Sequence, residues 1–297
     1  MKNVLRLLLN RAERREFKDR IRRRKDWLKK PVKERTVLLS TRELENLHSG
    51  QRCFILGAGS SISQQDLNKL QGETVISVSN TFVHPLFETI RPRYHVLPPL
   101  LSSHGELYST EKFVSWLREM EQKTSDAAMV LHIGDRNMID QHGLFRDRTV
   151  HWVDYTSWNG NFDLPVDLSR IPKIWSVSET AVTLAVYLGF SKIYLIGFDH
   201  DWFNGKLVYF FDHTKEHAMK PDKANLEFAD AEFQMRRHAD IFRKYKYLYS
   251  IRRNIYNANA NPSHYMDVFP RADFDALFSE AIVGLKRIGN SGDEAQS

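Results

Sequence analysis

One cysteine, Cys53, stands in 297 residues. That excludes a disulfide framework and a cysteine-based zinc site, and it suits a reducing compartment. Cys53 itself lies in an apolar run and reads as a buried strand residue. The sequence also lacks an apolar run of about 18 residues, so nothing in it reads as a membrane span. The opening stretch MKNVLRLLLNRAERRE is not expected to be a signal peptide, because Arg6 interrupts its short apolar region and no small-residue cleavage site precedes the charges. No DxD-type metal motif stands out, and there is no internal repeat. No cofactor and no obligatory divalent ion are therefore expected. The expected location is the cytoplasm, with the inner membrane face as a peripheral station.

What is present is enough for one sizeable α/β domain with extensions. The chain is 42% hydrophobic and 12% aromatic, which can fill a core. Its net charge of +6 is unevenly placed: residues 1–35 hold 15 basic and 5 acidic residues, leaving 28 basic and 32 acidic in the rest. The basic character belongs to an N-terminal arm. Within it, Val4, Leu5, Leu8 and Leu9 suggest one apolar face, and Phe17, Ile21 and Leu28, with Trp27 beside them, a second. A basic amphipathic helix suits an anionic membrane surface. It also suits nucleic acid, or plain packing on the body; the membrane surface is the leading expectation, and no nucleic acid is expected as partner. Pro31 is expected to end the arm.

The remainder divides into an expected transferase domain over residues 36–288 and a disordered tail over 289–297. Ser40 and Glu43 have the spacing of a capping box, and Gly50 suits a C-cap. Apolar runs at Cys53–Leu56, Thr74–Ser79, Tyr94–Leu97, Ala128–Ile133, Thr149–Tyr155, Lys192–His200 and Asn254–Asn257 read as strands. Between them fall expected helices: 109–122, with Phe113, Trp116, Leu117 and Met120 on one face; Ser178–Leu188, stopped at Gly189; and Ala224–Tyr249, with Phe228, Ala231, Met235 and Phe242 in step. Residues 156–172 read as a loop. Residues 201–221, aromatic and His-bearing without a period, read as a lid. Strands alternating with helices predict a Rossmann-like α/β fold, a mostly parallel sheet with helices on both faces.

The stretch with most chemical promise is Arg52–Ser63. An apolar run breaks at Gly57-Ala58-Gly59 and passes through Ser60 and Ser61 toward an expected helix reaching Leu70. A strand, a glycine turn and a helix start together form a phosphate cradle. The pattern lacks the third glycine of a dinucleotide fingerprint and the lysine of a P-loop, so a tight structural turn reads equally well. Asn80, at the end of the second strand, falls at the edge where open α/β sheets bind ligands.

Taken in order, these segments resemble a known family. His48–Ile62 resembles the opening of a bacterial family named for its likeness to the archaeal 6-hydroxymethylpterin diphosphokinase, whose Rossmann-like domain is similar to that of bacterial CMP-sialic-acid-dependent sialyltransferases. Val78-Ser79-Asn80 resembles the strand-end Asn of both groups. Gly189–His200 resembles a second strand, and Asn257-Ala258-Asn259 with Val268-Phe269-Pro270-Arg271 the family's closing segment. The likeness spans roughly residues 45–280. It implies that Gly57, Gly59, Ser60, Ser61 and Asn80 contact a nucleotide, that Ser176 and Ser178 supply hydroxyls, that Asp199 and His200 stand at the second strand's end, and that Tyr209 in the lid holds phosphate. It further implies a lid-side histidine as base; His213, His217 and His238 are candidates, and His213 is preferred beside Asp212. Ser60 stands where the family has proline, Ile62 where it has leucine, and Pro98 where Asn or Asp is usual.

The implied reaction is glycosyl transfer from a nucleotide-sugar donor, of the CMP-activated type, to a glycan or glycolipid acceptor in cell-surface polysaccharide or lipopolysaccharide synthesis. Two alternatives stay open: a diphosphokinase acting on a pterin-like molecule, and a non-catalytic membrane or nucleic-acid adaptor. The first would need carboxylates for Mg²⁺ near the glycine turn, where only Asp66 and Glu73 lie.

Overall fold

The structure, a computed structural model, describes residues 11–101, 109–124, 126–156, 166–200, 209–211, 231–260 and 267–279. Residues 1–10, most of the expected lid (201–208 and 212–221, with His213 and His217), residues 222–230 with Phe228 of the expected helix, and the C-terminal tail lie outside them.

Seven strands form one parallel sheet: β1 (Arg52–Leu56), β2 (Val75–Val78), β3 (Tyr94–Val96), β4 (Ala128–His132), β5 (Val150–Val153), β8 (Lys192–Ile196) and β9 (Ile255–Asn257). Two short strands, β6 (Tyr155–Thr156) and β7 (Ile171–Pro172), pair with each other outside it. The helices are α1 (Arg11–Lys29), α2 (Val32–Leu39), α3 (Phe87–Ile90), α4 (Thr110–Lys123), α5 (Arg136–Gln141), α6 (Val177–Tyr187) and α7 (Ala231–Ile251). Spatial order is β5-β4-β3-β2-β1-β8-β9. This is the expected Rossmann-like α/β architecture.

Burial on both faces explains why the strands read as continuous apolar runs. Cys53, Ile55, Ile76, Val96, Ile193 and Leu195 pack on one side against α6 and, from α7, Ile241, Tyr245 and Leu248. Phe54, Leu56, Val75 and Ile196 face the other side with Ile62, Leu67, Leu70 and Phe274. Further along that side, Met129 and Leu131 meet Phe113, Trp116, Leu117 and Met120 of α4. Ser77 and His95 are buried there too; Ser77 Oγ lies 2.7 Å from His95 Nδ1, and burial drives the His95 pKa down to about 3, so the ring is neutral.

Four local expectations are corrected. No α-helix runs from Ser60 to Leu70. Two 3₁₀ turns, Ser60–Gln64 and Leu67–Leu70, take its place, because Gln65 is extended and Asp66 starts afresh by accepting the Asn68 N–H. Ser40 forms no capping box; it continues the end of α2 into a 3₁₀ turn, with its hydroxyl given to the Val37 carbonyl. The loop expected over 156–172 begins and ends in the paired strands β6 and β7, joined to the body by a 3₁₀ turn at Leu168–Arg170. The largest correction concerns α7. Met235 and Phe242, expected to face the core, are 64% and 39% exposed, while Gln234, His238, Ile241, Tyr245 and Leu248 are buried. The helix therefore turns a partly polar face inward, and its polar end meets the carboxyl edge of the sheet.

Candidate functional site

The chain steps outward from β1 through β2, β3 and β4 to β5, then returns across β1 to β8 and β9. The topological switch thus lies between β1 and β8, and an open sheet of this kind receives ligands at the carboxyl ends of its strands there. The glycine turn leaves β1 at this point and Gly197 leaves β8 beside it. Backbone pairing runs on past the strands: the Gly57 N–H donates to Ile196 O at 2.7 Å and the Gly59 N–H to Gly197 O at 3.0 Å. A Cβ on Gly57 would collide with the Gly197 carbonyl, and Gly197 itself holds φ +70°. Close approach of two backbones accounts for both glycines.

Asp199 completes the arrangement. Its carboxylate accepts the Ser61 N–H at 3.0 Å and the Ser61 hydroxyl, and it fills the space that a side chain at Gly59 would need. The anion that the turn attracts is thus supplied by the chain itself. Asn259 secures the same corner, accepting the Phe198 N–H at 3.0 Å and donating to the Phe198 carbonyl at 2.9 Å.

Over this corner lies residue 209. Tyr209 forms an antiparallel bridge with Gly59, the Phe210 N–H donates to Ala58 O at 3.2 Å, and the Tyr209 ring stacks on Phe211. Arg237 of α7 lies within electrostatic reach of Tyr209 and Glu179. Burial lowers the Arg237 pKa, while Tyr209 and Glu179 oppose that shift. Arg237 also donates to the Trp175 carbonyl at 3.0 Å.

The serine segment opens α6. Ser176 is its N-cap, in a full capping box with Glu179. From it runs a chain of hydroxyls: Ser178 donates to Ser176 Oγ at 2.8 Å, Tyr245 donates to Ser178 Oγ at 2.9 Å, and His200 Nε2 lies 3.3 Å from the Tyr245 oxygen. Burial, then the charges of His238 and Arg237, push the His200 pKa down to about 3. A ring so poor in basicity is a neutral hydrogen-bonding group near pH 7, not a proton acceptor. His238 packs edge-on against it. Beneath them Lys244 Nζ reaches Glu179 Oε1 at 2.5 Å.

Asn80 follows β2 at the same edge, half-buried, with Oδ1 accepting the Trp116 indole N–H at 2.7 Å. Its role is partly to satisfy a buried tryptophan. Ser60 is half-exposed on the turn.

The structure thus brings together Gly57, Gly59, Ser60, Ser61, Asp199, His200, Ser176, Ser178 and Tyr209 around the switch, with Asn80 one strand away. Arg237, Tyr245 and the Glu179–Lys244 pair belong to the same cluster and were not singled out in the sequence, where the inner face expected of α7 lies about a quarter-turn from the buried one.

A second pair was also missed. His132 ends β4 at the carboxyl edge, with Nε2 3.4 Å from Asp154 Oδ1 and Nδ1 4.0 Å from Asp135 Oδ2. Lys30, at the end of the arm, reaches Asp154 at 2.9 Å. A side chain at Gly134 would strike the His132 ring. The available signal was the one used for Asn80, a polar residue ending a buried strand.

A cleft of about 680 Å³ opens at the amino edge instead, lined in part by Glu43, Arg93, Asp126, Asp147, Arg148 and His151. Its charges are mixed, and Arg148 is already bonded to the Ala127 carbonyl at 2.7 Å. Neither place nor polarity suits the site of a doubly wound sheet.

Among the described residues no three His, Cys, Asp or Glu side chains group as metal ligands, and no helix is long and apolar enough to cross a membrane. In comparisons with known proteins, no family model and no curated protein matches this chain.

Proposed function

We propose that this chain is a nucleotide-sugar-dependent glycosyltransferase, sialyltransferase-like, taking a CMP-activated donor and acting in cell-surface polysaccharide or lipopolysaccharide synthesis. The observation that carries the reading is the convergence of the glycine turn, the serine segment, Asp199, His200 and Tyr209 on one switch-point edge, with Asn80 beside it.

The reaction is a displacement at the anomeric carbon. An acceptor hydroxyl forms the new C–O bond and loses its proton to a base, while the bond from carbon to phosphate oxygen breaks with its electron pair staying on the phosphate. Because Asp199 already takes the Ser61 N–H, the developing phosphate charge falls to the Tyr209 hydroxyl and to Arg237, whose partial burial strengthens its field. The Asn80 amide N–H₂ group is assigned to the nucleotide, and the Ser176–Ser178 hydroxyls to orienting it. His213 is assigned as base through the resemblance; His132, paired with Asp154, is the alternative that the described residues offer. A base with a carboxylate partner is held in one orientation and stabilised when it takes the proton.

A thermal-shift panel of CMP, CDP, UDP, GDP and ATP, with and without Mg²⁺, tests the reading. CMP or CDP at about 100 times its Kd should add roughly 2.7 kcal/mol of stability without metal. Asn80→Asp should abolish the shift while keeping an acceptor for Trp116. Stabilisation by ATP with Mg²⁺ alone would replace this reading with a diphosphokinase.

A further inference from the structure

The helix α1 carries a surface that the proposed chemistry does not use. Its C-terminal end is fixed to the body: Trp27 packs against the core cluster of Leu38 and Phe82, Arg170 lies over the Trp27 ring at 5.3 Å, and Lys30 pairs with Asp154 at 2.9 Å. Phe17, Ile21 and Leu28 are nevertheless 37%, 40% and 57% exposed. At about 100° per residue these three fall within roughly 40° of one another on the helix. Arg24 lies about 20° beyond Phe17 at one margin of that stripe, Lys25 and Lys18 flank the other, and Asp26 lies about 140–180° away. All four of these charged residues are exposed.

Exposed bases therefore border the apolar stripe on both sides; the exposed Glu13 also lies near its margin, about 40° beyond Phe17, while Asp26 lies opposite. That is the distribution an anionic bilayer selects, with apolar groups at the acyl boundary and cations among the phosphates. Nucleic acid needs only the cations, and an exposed Phe–Ile–Leu stripe contributes nothing to it. The rest of the chain, with 28 basic and 32 acidic residues beyond position 35, offers no comparable attraction.

We propose that α1 docks on an anionic phospholipid surface through Phe17, Ile21 and Leu28, with Lys18, Arg24 and Lys25 at the lipid phosphates. The anchor residue Lys30 meets Asp154 at the carboxyl end of β5, so the arm joins the body at the sheet edge that carries the candidate site. Docking would thus hold that edge near the membrane. In combination with the glycosyltransferase reading, on which this last step rests, the acceptor class is a membrane-borne glycolipid.

Sedimentation of the full chain with vesicles tests the docking. Binding is expected to mixed phosphatidylcholine–phosphatidylglycerol vesicles and not to phosphatidylcholine alone. The triple variant Phe17→Gln/Ile21→Gln/Leu28→Gln should lose roughly tenfold or more in partitioning, since three exposed apolar side chains no longer enter the bilayer. The same variant should keep its melting temperature and its nucleotide-induced shift, which separates this proposal from the fate of the catalytic one. Absence of binding to mixed vesicles, undiminished binding by the triple variant, or duplex DNA that displaces the vesicles from the wild-type chain would each overturn it.

Discussion

Lys244→Met is expected to lower the free energy of unfolding by about 3–5 kcal/mol. Lys244 is 3% exposed, and Glu179 is fully buried. Glu179 Oε2 accepts the N–H groups of Trp175 and Ser176 at 2.6 and 2.8 Å, while Oε1 meets the Lys244 ammonium, which also donates to the Lys173 carbonyl at 2.7 Å. Taking away the ammonium leaves a carboxylate in the interior with only two N–H partners and no ion-pair partner, Arg237 acting on it only at longer range. A buried pair of this kind contributes little net stability, but half of it is expensive. Hence the double variant Lys244→Met/Glu179→Gln should recover most of the loss, because glutamine still accepts both N–H groups at the start of α6. Urea unfolding of the two single variants and the double variant measures the coupling directly. A loss under about 1 kcal/mol for Lys244→Met would mean that water reaches the pair, as it does in exposed bridges.

The second large effect concerns proton transfer. His213→Ala is expected to reduce turnover by about 10²–10⁴-fold, the usual contribution of a general base. The readout is release of CMP from a CMP-activated sugar in the presence of a glycan acceptor. On the proposed reading the wild-type pH–rate profile has an acidic limb from protonation of the base, and His213→Ala should remove it. A limb near pH 3 would instead implicate His200, which burial holds at about 3. If His132→Ala shows the large loss and His213→Ala does not, the base belongs to the pair with Asp154 at the end of β4. Asp154→Asn would then reproduce part of the effect by removing the carboxylate that orients the ring.

The sheet was legible because parallel strands covered on both faces must be apolar throughout, so Cys53–Leu56 and Lys192–Ile196 stand out in any reading. Asn80, Asp199 and the glycines were legible for a related reason: each follows directly on such a run, and the end of a parallel strand is where polar groups gather. The α7 helix was not. Its buried face mixes Gln234, His238 and Tyr245 with Ile241 and Leu248, whereas Met235 and Phe242 form a more apolar stripe that faces solvent. Periodicity follows hydrophobicity, and at this site burial follows hydrogen bonding instead. Lys244 and Arg237 gave no signal, because the groups they bond, Glu179 and the Trp175 carbonyl, are far away in the sequence. The Ser60–Leu70 segment failed differently: serine and glutamine carry no strong signal between α and 3₁₀, and the choice is made by Asp66 and by the carboxylate of Asp199.

On the proposed reading a nucleotide binds at the carboxyl edge between β1 and β8. A crystal of the protein soaked with CMP tests it most directly. Density over the glycine turn, with the phosphate in hydrogen-bond reach of Tyr209 and the nucleoside toward Asn80, is the predicted result. Density in the amino-edge cleft beside Arg93 and Arg148, or a nucleotide that leaves the switch-point edge untouched, would contradict the account.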